Sequence, residues 1–295
     1  MNTYPLVSVA VVTYNQINFI NECLDSILGQ DYPNIEIVVA DDFSTDGTRE
    51  ILTEYQSKNP EIFILKFAES NQGITANHNL AHYACSGKYI AWIGGDDVML
   101  AGKLSRQVAF MEAHPDCNIS YHQLQIYDSD IGKVAGLFNK RYNTHEGEVR
   151  KLIKYGSFNG AVSSMVRAES APKSGFNTTI PIASDWLYYI ECLINGGQIR
   201  YLDDVLGTYR RHSKNSTNED NPRFKQNLID HLNTCSIIVA KYPEHSVIAL
   251  ARYMRILRDN RAVLRLNYDI LPYFRDLKSW FAYIIYIVTF KKIKL

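Results

Sequence analysis

Hydrophobic positions follow two rhythms along this chain. The run from Leu6 to Thr13 is almost continuous in aliphatic and β-branched residues, the pattern of a strand buried on both faces of a parallel sheet. Ile17, Ile20, Cys23, Leu24 and Ile27 then fall on one helical stripe that ends near Gly29. The alternation repeats, predicting a strand over 35–41, a helix over about 46–58, a strand over 62–67, a helix over about 74–86 and a strand over 88–93. Such βαβα order predicts an α/β fold with a doubly wound, mostly parallel central sheet, flanking helices and right-handed crossovers.

Beyond Asp97 the rhythm changes. A helix is predicted over about 102–113, a strand over 118–127, a polar region to about 147 and a strand over 161–166. A helix is expected to begin near Ser184 and a strand to cover 198–202. The stretch 212–221 reads as a loop or linker. From about 221 the pattern is helical, with Pro222, Pro243 and Pro272 as boundaries.

Two of the predicted strands end in paired carboxylates. The strand at 35–41 runs into Asp41 and Asp42, and the strand at 88–93 runs through Gly94 and Gly95 into Asp96 and Asp97. Adjacent carboxylates at a buried strand end repel each other and lose hydration, so a cation normally compensates them. A divalent metal carrying a phosphorylated ligand suits that role, with a solvated turn or a helix N-cap as the plain alternative. In an open α/β sheet the carboxyl ends of the strands line one crevice, so both pairs face the same pocket. Helix capping is the plain reading of Ser44, Thr45 and Asp46 and is expected to hold for at least one of them.

Composition narrows the classes. The chain has 295 residues with 31 acidic and 31 basic side chains, which gives no electrostatic footprint for nucleic acid. Five scattered cysteines without a Cys-x-x-Cys spacing argue against a disulfide framework and a zinc site, and fit a cytoplasmic location. The first residues lack the basic region of a signal peptide. The aromatic and apolar run 280–290, followed by Lys291, Lys292 and Lys294, falls short of the roughly 20 residues needed to span a bilayer. Two readings of 279–295 stay open: peripheral contact with the inner face of the cell membrane, or a last helix docked on the core or on a second subunit of a homo-oligomer.

A connected series of motifs then sets the family expectation: Thr13-Tyr14-Asn15 after the first strand, Asp41-Asp42 with Ser44, Asp46, Gly47 and Thr48, Asn71 and Gly73 with Asn79, Gly87 to Ile90, Gly95-Asp96-Asp97, Ser184-Asp185-Trp186, and Tyr209-Arg210 with His212. Over about residues 5–215 the chain resembles the family 2 inverting glycosyltransferases of GT-A fold. The resemblance implies a GT-A domain over 1–215, with a nucleotide-binding half over 1–97 and an acceptor half over 98–215, followed by a helical region over 216–295. It implies a metal-dependent, inverting transfer of a sugar from a UDP-sugar to a carbohydrate or lipid-linked acceptor, in polysaccharide or lipopolysaccharide assembly.

The resemblance also assigns roles. Asp42 is expected to accept the imide N–H of uracil, with Thr13, Tyr14 and Asn15 around the base and Asn71 and Gly73 beside it. Asp96 is expected at the ribose or sugar, Asp97 on Mn²⁺ or Mg²⁺, and Asp185 as general base on the acceptor hydroxyl. Asp185 could equally cap or open a helix, whose dipole would lower its pKa unless burial raised it again. His212 is a metal or diphosphate ligand or a solvated loop residue, and Arg210 could meet a phosphate. Trp186 reads more readily as core than as a sugar platform. His78 stands where many relatives carry arginine, so a permanent charge is missing from the nucleotide site.

Competing functions lack their own signatures. A sugar nucleotidyltransferase is expected to carry a glycine-rich basic loop after the first strand, which Thr13 to Gln16 is not. A dinucleotide oxidoreductase needs Gly-x-Gly-x-x-Gly, which does not occur. A non-catalytic sugar-nucleotide-binding module would be expected to have lost at least one of Asp42, Asp97 and Asp185.

Overall fold

The first strand, β1 (Val7–Thr13), is buried along nearly its whole length. It pairs in parallel with β2 (Ile35–Asp41) on one side and β4 (Tyr89–Gly94) on the other. The computed structural model describes residues 4–138, 144–157, 159–212 and 223–264. β3 (Phe63–Phe67) extends the parallel ladder beyond β2. Among the described residues the sheet has nine strands in the order β3-β2-β1-β4, then β8 (Met165–Arg167), β6 (Cys117–Asp128), β9 (Gln198–Arg211) and β5 (Val98–Met99), with β7 (Lys133–Leu137) attached to β6.

Side chains alternate across a strand, so each central strand feeds two cores. Val7, Val9, Val11, Ile37, Val39, Ala91 and Ile93 face one layer, made by α1 (Ile20–Leu28), α2 (Thr48–Lys58) and α4 (Lys103–Ala113). Ala10, Val38, Ala40, Ile90 and Trp92 face the other, which includes α3 (Ile74–His82), α5 (Val149–Tyr155), α6 (Ser184–Leu193) and α7 (Arg223–Lys241). The α/β class and the alternation through β4 agree with the pattern of hydrophobic positions.

The second half departs from it. β8 (Met165–Arg167) runs antiparallel to both β4 and β6 (Cys117–Asp128), and residues 161–163 form a 3₁₀ turn where a strand was expected. The expected polar region contains β7 (Lys133–Leu137), an antiparallel partner of β6, while α5 follows from 149. β5 (Val98–Met99) pairs with β9, which runs from Gln198 to Arg211 instead of stopping at 202. Its parallel ladder with β6 survives several register shifts, a device that bends and re-aims strands near functional sites.

One compact unit spans Met1–Ile256 and a second spans Leu257–Leu295. Cys235 and Ile238 of α7 are buried in the first unit's core, so this helix beyond residue 215 contributes to it. Pro243 opens a short 3₁₀ turn before α8 (Ser246–Asp259), and α9 (Arg261–Leu264) follows. No helix among the described residues is long and apolar enough to cross a membrane. The expectations for 279–295, for the loop at 213–221, and for Pro222 and Pro272 fall outside the described residues.

Candidate active site

The carboxyl ends of β1, β2 and β4 meet at one sheet edge, Thr13 lying opposite Asp41 and Val12 opposite Gly94. Strand alternation sends the two acids of the first pair to opposite faces. Asp41 is fully buried and accepts the Ser44 N–H at 2.9 Å, the Ser44 hydroxyl and Arg49 Nε at 2.5 Å. Arg49 also donates to the Ala68 carbonyl at 2.6 Å, so Asp41 braces α2 and β3. Asp42 faces the other way and accepts the Gln72 N–H at 2.7 Å and the Gly73 N–H at 2.9 Å. Gly73, at φ 91°, turns the chain into α3 there. Each carboxylate oxygen of Asp42 keeps further acceptor capacity.

The loop after β1 is tied to the same turn. Asn15 sits at φ 51°, donates its N–H to Ser44 Oγ at 2.8 Å and accepts the Thr45 N–H at 2.9 Å. The Thr13 carbonyl accepts the Asp42 N–H and Asn77 Nδ2, both at 3.1 Å. Thr13 Oγ1 is buried without a hydrogen-bond partner among the described residues. Tyr14 is 41 % exposed and Asn71 is exposed, so both face solvent at this edge. Asp46 has the expected capping role, taking the Thr48 N–H at 3.0 Å and hydroxyl at 2.6 Å.

His78 lies on α3, in an aromatic cluster. Its Nδ1–H donates to the Ile74 carbonyl at 2.8 Å, and its ring lies 5.5 Å from Trp92 and 4.9 Å from Phe176. Burial pushes its pKa down, against the pull of the Ile74 bond, so the imidazole is neutral at pH 7.

Around the second acidic pair the structure gathers Asp96, Asp97, Arg210 and His212. The Gly95 N–H donates to the Val12 carbonyl at 3.0 Å, and a Cβ there would meet Gln16 Oε1 at 2.5 Å and Thr13 Cβ at 3.0 Å, so glycine lets the turn approach β1 without displacing them. Asp97 is buried and accepts the Arg210 N–H at 2.9 Å. Burial, then the charge of Asp96, pushes the Asp97 carboxyl well above the usual carboxylate range, while Arg210 pulls it back. His212 Nε2 bonds Asp96 Oδ2 at 3.0 Å, and its ring stacks on Phe19 at 4.8 Å.

The Arg210 guanidinium spans the cluster. Nε donates to the Asp96 carbonyl at 2.8 Å and Nη2 bonds the Glu22 carboxylate, while Phe19 and Tyr127 lie with ring centroids 5.2 Å away. Glu22, Phe19 and Tyr127 went unread in the sequence. Glu22 lies off the apolar stripe of α1, where it reads as one more solvated acid.

Asp185 occupies the first turn of α6 with Ala183 at the N-cap. Asp230 of α7, another residue missed from sequence, takes the N–H groups of Ile182 at 2.8 Å and Ala183 at 3.0 Å. The Thr75 hydroxyl donates to the Ile180 carbonyl at 2.6 Å and accepts the Ser184 hydroxyl at 2.8 Å. The helix entrance is therefore shared: Asp230 holds the two N–H groups that precede the helix, while the Asp185 carboxylate accepts the first-turn Trp186 N–H at 2.8 Å and the Ser157 hydroxyl at 3.5 Å. Burial raises its pKa, with those two bonds pulling it down, a direction opposite to that of the helix dipole. Trp186 is core, fully buried, with Nε1 donating to the Leu152 carbonyl at 2.9 Å.

For a divalent cation the donor chemistry fits: hard carboxylate oxygens and an imidazole, around a buried acid that its neighbours leave under-compensated. Among the described residues no three His, Cys, Asp or Glu side chains form a complete metal cage, so further oxygens would have to come from a ligand.

Comparison with known proteins decides the family. Residues 8–169 match glycosyl transferase family 2. The chain belongs to that family. A Mycobacterium tuberculosis relative described as uncharacterized is 30 % identical over 209 residues, 70 % of this chain and 59 % of the relative. This chain thus spans under two thirds of that protein's length. The putative teichuronic acid biosynthesis glycosyltransferase TuaG of Bacillus subtilis is 37 % identical over 110 residues, 37 % of this chain and 43 % of TuaG. Among solved structures, S. aureus TarS 1-349 in complex with UDP-GlcNAc aligns with a TM-score of 0.69 at 20 % identity, covering 91 % of this family 2 chain and 78 % of TarS 1-349. The mannosyltransferase PcManGT of Pyrobaculum calidifontis, in complex with GDP-Man and Mn²⁺, aligns with a TM-score of 0.62 at 18 % identity over 97 % and 81 % of the two chains. Both likenesses establish the GT-A fold.

Proposed function

We propose that this chain is an inverting glycosyltransferase that moves a sugar from a UDP-sugar to a carbohydrate or lipid-linked acceptor in surface-polysaccharide or lipopolysaccharide assembly. The observation that carries the chemistry is Asp185, a first-turn carboxylate that gives one oxygen to the Trp186 N–H, has the other 3.5 Å from the Ser157 hydroxyl, and has its pKa raised by burial. Residues 1–97 bind the nucleotide: Thr13, Tyr14 and Asn15 shape the base site, Asn71, Gly73 and His78 line its α3 side, and Asp42 accepts the uracil imide N–H. Asp96 meets the ribose or sugar. Residues 98–215 present the acceptor, whose hydroxyl loses its proton to Asp185 Oδ as its oxygen attacks the anomeric carbon from the side opposite UDP.

Asp97 would hold Mn²⁺ or Mg²⁺, with Asp96 and His212 beside it. When bound, the cation neutralises charge on the departing diphosphate. Arg210, oriented by Asp96 and Glu22, adds positive charge near the same position. The binding of UDP-GlcNAc by TarS and of GDP-Man with Mn²⁺ by PcManGT supports a nucleotide-sugar donor.

The test is a panel of UDP- and GDP-sugars with an oligosaccharide acceptor, read by nucleotide release and by NMR of the product. Transfer from an α-linked UDP-sugar giving a β-glycoside is expected. A retained α-anomer would overturn the mechanism, and release of GDP alone would overturn the donor assignment.

A further inference from the structure

Arg210 presents an unusual choice of partners. A guanidinium next to buried carboxylates ordinarily forms a forked, two-bond pair with one of them. Here two carboxylates are adjacent, and Arg210 approaches both: its backbone N–H bonds Asp97 Oδ1 and its Nε bonds the Asp96 carbonyl. Among the described residues, however, the guanidinium's carboxylate partner is neither of them. Nη2 is directed to Glu22, on the first turn of α1, while Phe19 and Tyr127 flank the guanidinium.

The burial of the pair is lopsided. The Arg210 side chain is 8 % exposed and that of Glu22 is 61 % exposed. An ion pair with one end in water adds little to stability, so folding alone gives a weak reason for an acid at this place. Its effect on the acidic turn is larger. Without a carboxylate at position 22, the acids of the 96–97 turn lie beside a nearly buried guanidinium whose Nε already bonds the Asp96 carbonyl and whose charge already acts on Asp97. A pair formed there would occupy their lone pairs and cancel the charge that attracts a cation.

We infer that Glu22 is a positioning residue, which draws the Arg210 guanidinium aside and so keeps the Asp96 and Asp97 carboxylates available to a divalent cation. The inference rests on the proposed cation site. Phe19 reinforces the arrangement from the same helical turn, because its ring stacks on His212 while His212 bonds Asp96. The start of α1 thus contacts both Arg210 and His212 beside the acidic turn.

The experiment measures Mn²⁺ binding to the full chain without nucleotide, from the free-ion signal in electron paramagnetic resonance. Glu22→Gln should weaken Mn²⁺ binding about tenfold, the cost of one misplaced positive charge beside the site. Glu22→Asp, which keeps the carboxylate, should stay within about threefold of the native protein. Combining E22Q with Arg210→Met should abolish the effect, because no guanidinium remains to collapse onto the acids: E22Q/R210M should bind Mn²⁺ as R210M does. A role limited to stabilising the fold would make the two losses additive and would not produce this rescue. Equal binding by E22Q and the native chain overturns the inference, as does an undiminished effect of E22Q in the R210M background. If R210M fails to fold, E22Q against E22D still decides. If the native chain binds no Mn²⁺, the cation site itself falls, and this inference with it.

Discussion

The backbone N–H of Arg210 donates to Asp97 Oδ1 at 2.9 Å, joining the end of β9 to the turn that follows β4. The two residues stand 113 positions apart in the chain. The bond exists because β9 runs on, parallel to β6, far enough to pass the sheet edge where β1, β2 and β4 end. A main-chain donor is insensitive to the side chain at 210, so the position of Asp97 is set by topology and its charge is tuned by what surrounds it.

Asp97→Asn keeps an acceptor for that N–H and removes the acid. Mn²⁺-dependent UDP binding should be lost and turnover should fall by at least ~10²-fold, as for removal of a metal-bound carboxylate. The folded state raises the Asp97 pKa, so it binds this proton more tightly than the unfolded chain does. Stability from that proton is present at low pH and lost as pH rises through the folded pKa, above which the ionised acid is a cost. The metal-free variant should therefore melt at the same or a higher temperature than the native chain. Full activity in EDTA would contradict the cation site.

The two acids of the first pair should separate cleanly by assay. Asp41→Ala leaves Arg49 without its buried partner and should destabilise the fold by about 3 kcal/mol, read by urea unfolding. Asp42→Asn should instead raise the donor KM roughly 10- to 100-fold, the worth of a charge-assisted hydrogen bond, with kcat changed less. Substantial unfolding in D42N with an unaltered KM would reduce Asp42 to a fastener of the 72–73 turn.

Much of this was legible in the sequence, for physical reasons. Strands buried on both faces have to be nearly continuous in apolar residues, so β1, β2 and β4 stand out, and acids at their ends are conspicuous against them. Polar segments that take their form from a partner were not legible. β7 exists because β6 offers an edge, and β9 beyond Leu202 loses simple alternation through Asp203 and Asp204 while its ladder with β6 shifts register. Asp185 was visible as a helix-start acid, but its neighbour Asp230 of α7, which takes the two N–H groups just before that helix, is revealed by no local spacing. Glu22 and Phe19 were hidden because their partners arrive from the far end of β9.

Gly95→Ala probes the close approach of the turn to β1. The added Cβ would lie 2.5 Å from Gln16 Oε1 and 3.0 Å from both Ile20 Cδ1 and Thr13 Cβ, all in a packed layer. Overpacking of this kind costs about 1–3 kcal/mol. Relief by moving the turn would displace Asp96 and Asp97, so donor affinity should drop along with the melting temperature. A variant with native UDP affinity would show that the acidic turn tolerates displacement.

Asp185→Asn separates catalysis from architecture. The amide preserves shape and can still accept the Trp186 N–H, so kcat should fall by roughly 10²- to 10⁴-fold with donor affinity little altered, the range for loss of a general base. Burial raises the Asp185 pKa above its ordinary 3.8. In the native enzyme kcat/KM should accordingly decline with falling pH along a limb set by that raised pKa, and D185N should lose this limb. The stability argument has the same sign. The proton on Asp185 favours the folded state, its contribution is complete below the unfolded pKa, and it disappears as pH rises through the folded pKa. Above that pKa the native chain carries an ionised carboxylate at some cost, so there D185N should be at least as stable, with the difference vanishing in acid. A pH series of melting curves beside single-turnover rates checks both halves. Loss of stability in D185N with turnover intact would return Asp185 to a purely structural role at the helix start.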